Sequence, residues 1–73
     1  MATDDRRLWQ LADEAHPGVT IECVMVSCCS GAELQVRRTE SAAEPTIVLR
    51  ELYPTKSDLY ERARMLAREY ARQ

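Results

Sequence analysis

Residues 19–39 read Val-Thr-Ile-Glu-Cys-Val-Met-Val-Ser-Cys-Cys-Ser-Gly-Ala-Glu-Leu-Gln-Val-Arg-Arg-Thr, and this stretch decides the fold. From Val19 onward Ile21, Cys23 and Met25 alternate with Thr20 and Glu22. Successive side chains on an extended strand point to opposite faces, so a period of two marks a strand with one buried face. Ser30-Gly31 supplies a turn, after which Ala32, Leu34 and Val36 alternate with Glu33, Gln35 and Arg37. The pattern predicts a hairpin with strands near 19–27 and 32–39. Val24 and Val26 interrupt the alternation and make the first strand apolar on both faces. That second face needs a cover of its own, from a helix, a second copy or a host protein.

Toward the C-terminus, residues 40–45 read as a polar loop, and Thr46-Ile47-Val48-Leu49 opens a β-branched run continuing through Arg50-Glu51-Leu52-Tyr53. This is a third strand whose inward parity stays open, because Ile47/Leu49 and Val48/Leu52 fit opposite registers. Thr55 with Asp58 three residues on forms a capping-box pattern, and Leu59, Ala63, Leu66, Ala67 and Tyr70 then make an apolar stripe of helical period. Toward the N-terminus, Leu8, Leu11, Ala12 and Ala15 recur at i, i+3, i+4 and i+7, between a Thr3-Asp4-Asp5 start and a His16-Pro17-Gly18 stop. These signals predict a helix over residues 4–15. The expected fold is a single small α+β domain over residues 1–73, of α-β-β-β-α order. It has a three-stranded antiparallel sheet with helices packed on it.

Composition narrows the function classes. The 73 residues are 45% apolar, with 10 basic and 12 acidic side chains and a net charge of −2. That is enough for one domain and too apolar for a disordered chain. The longest apolar run, Cys23-Val24-Met25-Val26, falls far short of the roughly 20 residues that cross a bilayer. The acidic start Met-Ala-Thr-Asp-Asp has no apolar core of a signal peptide, so the expected location is the cytoplasm, away from membranes. A domain of this size buries only about 60% of its unfolded surface. It has little stability to spare for a strained cavity, and a metal, a dimer contact or a larger partner often makes up the difference.

No chemistry-bearing constellation stands out. Cys23, Cys28 and Cys29 are spaced C-x4-C-C, which lacks the close C-x2–4-C pairs of zinc knuckles. Cys23 shares a phase with Ile21 and Met25 and reads as a small core residue. An odd number of thiols also argues against a disulfide framework. His16 reads as a cap on the C-terminus of the first helix rather than as a base, and Asp4-Asp5 and Asp13-Glu14 read as helix-surface pairs. With only Gly18 and Gly31 in the chain, no phosphate-cradling loop can be assembled. The expectation is a protein without metal, cofactor or catalytic residues.

The last helix is the most informative surface. Residues 56–73 carry Lys56, Arg62, Arg64, Arg68 and Arg72 against Asp58, Glu61 and Glu69, a balance of +2, while the first 55 residues sum to −4. Arg64, Arg68 and Arg72 fall four apart and form one basic ridge. The plain interpretation is a solvated face with intrahelical pairs such as Glu61–Arg64 and Glu69–Arg72. The alternative is a contact surface.

The predicted element order and the length resemble a double-stranded-RNA-binding domain over nearly the whole chain. That resemblance implies an α-β-β-β-α fold. It does not extend to the RNA-contacting residues: where the family carries a lysine cluster, this chain has Thr55-Lys56-Ser57-Asp58-Leu59-Tyr60-Glu61, in which only Lys56 fits. Ser27-Cys28-Cys29-Ser30-Gly31 likewise lacks the family's minor-groove residues.

The function these features point to is a small non-enzymatic regulator. It would bind a larger macromolecular machine through Val24 and Val26 on the second sheet face, or the sheet edge, together with Arg62, Arg64, Arg68, Arg72, Arg37 and Arg38. By analogy of size and charge, phage-type inhibitors of bacterial RNA polymerase or of a nucleic-acid-guided nuclease are the model for it. A homodimer is a further option. The alternative is a nucleic-acid-binding module that uses the basic C-terminal helix.

Overall fold

A computed structural model describes residues 5–28, 31–41 and 43–72. Its elements are β1 (Asp5–Ala12), β2 (Val19–Cys28), β3 (Gly31–Glu40), β4 (Thr46–Tyr53) and α1 (Lys56–Ala71). The strands form one antiparallel meander in the order β1-β2-β3-β4. α1 lies across one face, giving a slab of 37 × 30 × 14 Å.

The small α+β domain with an antiparallel sheet and a C-terminal helix is as expected, but the sheet has four strands rather than three. The segment expected to be a helix over 4–15 is strand β1 followed by a turn. The order is therefore β-β-β-β-α, and the likeness to a double-stranded-RNA-binding domain, which depended on an N-terminal helix, falls with it. Two physical reasons account for the difference. β2 is apolar on both faces and sits in the middle of the sheet, so its free edge needs a ladder partner, and β1 provides one. The β1–β2 register also slips between Arg7 and Trp9. An extra residue at a bulge brings both Leu8 and Trp9 against the core, and Leu11, half-buried opposite Ile21, completes a spacing that imitates a helix. The cap expected at Thr3 and Asp4 lies outside the described residues, as do Cys29 and Ser30.

His16 has no helix end to cap and instead helps close the β1–β2 turn. Its Nδ1 lies 3.1 Å from Asp13 Oδ2, and the Ala15 amide donates to Asp13 Oδ1 at 3.1 Å. Gly18 takes φ +85° there, and the Ser41 hydroxyl donates to its carbonyl at 3.2 Å.

The parity left open in the third predicted strand is settled by a second irregularity. Val36 pairs with Leu49 but Arg37 pairs with Ile47, so Val48 is the extra residue. Leu49, Glu51 and Tyr53 face α1, whereas Ile47, Arg50 and Leu52 face the opposite way. The helix begins at the Thr55 cap, whose side chain accepts from the Asp58 amide. Leu59, Ala63 and Leu66 are buried and pack with Cys23, Met25, Ala32, Leu34 and Val36 into the core. Trp9 ties β1 to the helix: its indole N–H donates to the Ala63 carbonyl at 2.8 Å, and its ring sits 6.0 Å from that of Tyr70.

Cys23 lies in this core with no exposed surface, and loss of water pushes its thiol up to about 12 from an ordinary 9.0. Between those values the unfolded chain releases a proton that the folded chain keeps, so stability declines as pH rises. Urea unfolding followed above the ordinary thiol range should show a loss approaching about 1.4 kcal/mol per pH unit. Cys23→Ala should remove most of that slope, and a variant with the full slope would place its cause elsewhere.

Candidate functional site

The surfaces open to a partner are the sheet face away from α1, the outer edges of β1 and β4, and the outer face of α1. The open sheet face carries a polar network across its middle, with Ile47 and Leu52 exposed at its β4 margin. Arg50 pairs with Glu33 at 3.5 Å, Gln35 donates to Glu33, and Arg37 donates to Gln35 at 3.0 and 2.8 Å and reaches Asp5 at 3.3 Å. This chain of polar contacts runs from β4 to β1. In the strand register Asp5 lies opposite Val26 and Arg37 opposite Glu22, so the Arg37–Asp5 contact spans the position of Val24. Arg7 and Glu22 add a pair at 3.8 Å.

Val24 and Val26 do face away from α1, but they do not form an exposed apolar patch. Val24 is 4% exposed and Val26 is half-buried. Gln35 beside Val24 is buried as well. Long polar side chains thus take the place of a second layer of structure.

The six arginines singled out from the sequence are divided among separate surfaces. Arg37 is held on the open face. Arg38 lies on the α1 side of β3 and pairs with Glu40 at 2.8 Å. Arg62 clamps α1 to β4, donating from Nε to Glu51 Oε1 at 3.1 Å and from Nη2 to Glu51 Oε2 at 3.5 Å. Tyr53 donates its hydroxyl to the same carboxylate at 2.5 Å. The Tyr53 hydroxyl first, and Arg62 beside it, hold Glu51 below the usual carboxylate range; the same hydrogen bond raises Tyr53. This trio is a structural clasp. Arg64, Arg68 and Arg72 do share the exposed ridge of α1, and among the described residues none of them takes part in an ion pair.

The residues that sequence reasoning missed are on β4. Ile47, Val48 and Leu52 are 42%, 48% and 60% exposed, on a strand whose outer side has no ladder partner among the described residues. Their signal was present in the conflicting parity of the β-branched run, which a bulged edge strand produces. Arg50 is the charged residue that shares their open face, Glu51 being turned to α1, and edge strands are commonly blunted by such charges and by bulges.

Concave sites are shallow. The cleft between the end of β1 and the end of α1, lined by Leu11, Asp13, Glu14, Ile21 and Tyr70, holds about 260 Å³, and the open depressions at Asp5, Met25 and Lys56 and at Glu61, Met65 and Arg68 hold about 340 and 300 Å³, at the bottom of the roughly 300–1,000 Å³ of ordinary ligand pockets. Among the described residues no three His, Cys, Asp or Glu side chains are grouped as metal ligands. No described helix is long and apolar enough to cross a membrane. Compared with protein-family models, curated proteins and solved structures, the chain matches none of them.

Proposed function

We propose that the protein is a non-enzymatic interaction module that docks on a larger protein assembly through β4 and regulates it by occupancy. The observation that carries this reading is the exposed edge strand with Ile47, Val48 and Leu52 beside free backbone donors and acceptors. An extended partner segment can add to such an edge, gaining affinity from the main chain and specificity from the side chains. The accessible surface, 5269 Å², also exceeds the about 4,600 Å² expected of a compact monomer of this mass. An extended surface of that kind suits a chain that completes itself on a partner.

RNA polymerase and nucleic-acid-guided nucleases are the assemblies against which to titrate the purified protein, on the analogy of size and charge. Ile47→Glu with Leu52→Lys is the informative variant. Ile47 lies opposite Arg37 and Leu52 opposite Glu33, so each new charge meets a cross-strand counterpart and the fold is preserved. Binding should weaken at least tenfold with an unchanged unfolding midpoint, and equal binding by this variant would remove β4 from the interface. The unpaired Arg64, Arg68 and Arg72 favour a second reading, nucleic-acid binding along α1. Duplex and single-stranded RNA and DNA belong in the same titration, where a steep salt dependence would mark that mode.

A further inference from the structure

The outer face of α1 has a charge pattern that matches an inverted copy of itself. At about 100° per residue, Asp58, Glu61, Met65, Glu69 and Arg72 lie within about 40° of a line through Met65, with Arg62 and Arg68 at its flanks. Met65 is 55% exposed at the middle of this stripe. Asp58 and Glu61 lie before it and Arg68 and Arg72 after it. α1 is the sole described element on its side of the sheet, so no other described element rises beside it to prevent close approach.

We infer that α1 pairs antiparallel with α1 of a second copy about a two-fold axis at Met65. A two-fold in the contact plane reverses the height of each residue along the helix and keeps its side of the stripe. Glu61, four residues before Met65, then meets Arg68 of the second copy, three after it, on the same side. Asp58 and Arg72, each seven residues from Met65, meet near the centre line. Arg62 stays bound to Glu51 of its own chain, so Glu69 lies beside that clasp on the other side and makes no pairing contact, and the two Met65 side chains touch at the axis. Every pair occurs twice, as an isologous contact requires. Within the chain, Asp58, Glu61, Arg68, Glu69 and Arg72 form no ion pair among the described residues, so these charges are available.

The pattern also argues for this occupant over a nucleic acid. A partner of one sign attracted to Arg68 and Arg72 is repelled by Asp58 and Glu61, whereas an inverted copy complements both halves. Exposed ion pairs each contribute little, so the dimer is weak, in the micromolar to millimolar range. The inference does not rest on the β4 reading, because it uses a different surface.

Charge reversal tests it by sedimentation equilibrium at low salt. The unmodified chain should self-associate, and added salt should dissociate it. Glu61→Arg and Arg68→Glu should each weaken association at least tenfold, because like charges then face each other. An equimolar mixture of the two variants should associate again: in one contact the arginine placed at 61 meets the glutamate placed at 68, and in the other the native Glu61 of one chain meets the native Arg68 of the other. Acid and base at opposite helix ends also suit the helix dipole. A dipole role gives no recovery on mixing, so that arm separates the two explanations. Circular dichroism confirms that each variant is folded. A chain that is monomeric throughout overturns the inference, even if it binds nucleic acid. So does a mixture no better than its components, or a dimer lost in Ile47→Glu/Leu52→Lys and retained in Glu61→Arg.

Discussion

Trp9→Ala is expected to lower the stability of the domain by about 3–5 kcal/mol, the range for truncating a large aromatic packed on a core. A domain of this size has a total of only about 4–11 kcal/mol, so the variant is expected to be largely unfolded at 37 °C. Three losses combine at this one position. The ring leaves a gap between β1 and α1, the Ala63 carbonyl loses its indole donor, and Tyr70 loses its neighbour. Trp9→Phe keeps a smaller aromatic ring and removes the donor, and should cost clearly less than Trp9→Ala, about 0.5–1.5 kcal/mol for the hydrogen bond plus a smaller packing loss. Urea denaturation of the two variants separates packing from hydrogen bonding. A Trp9→Ala variant within about 1 kcal/mol of the parent would mean that β1 is not fixed by the helix.

Gly31→Ala is the second substitution with a large expected effect. Gly31 opens β3 with φ +142°, a conformation that L side chains rarely adopt. A methyl group there would collide with the Tyr53 carbonyl oxygen and lie 3.1 Å from Pro54 Cα, both of them backbone. Backbone strain of this kind costs about 1–3 kcal/mol, and moving the end of β4 adds to it. Tyr53 is displaced with its own strand, so its hydrogen bond to Glu51 and the Arg62 clasp should loosen too. The expected result is a lower urea midpoint together with faster amide exchange in β4. An unchanged midpoint would show that the chain can relax at this turn without disturbing the strand end.

Most of the fold was legible in the sequence where period and element agree. The alternation from Val19 to Val36 is the hairpin of β2 and β3, and the capping box at Thr55 starts α1 one residue later. Residues 5–12 were not legible, because local pattern and tertiary demand disagree there. Leu8, Leu11 and Ala12 have helical spacing, yet a bulge gives a strand the same spacing. The deciding information lay in β2: a strand apolar on both faces belongs in the middle of a sheet and requires a neighbour on each side. At the candidate surfaces, the ridge of Arg64, Arg68 and Arg72 followed directly from helical period. The fates of Arg37, Arg38 and Arg62 did not, since each depends on a partner on another part of the fold or on a face set by register.

The open sheet face matches Arg7, Arg37 and Arg50 with Glu22, Asp5 and Glu33, three positive charges against three negative. A partner that dried this face would have to strip water from six ions that already neutralise one another, and it would gain no net attraction in return. Face-to-face stacking of one sheet on another is therefore discouraged, including in a crowded solution of identical chains. The polar cover over Val24 acts as a guard against indiscriminate adhesion, and it leaves recognition to the strand edge and the helix.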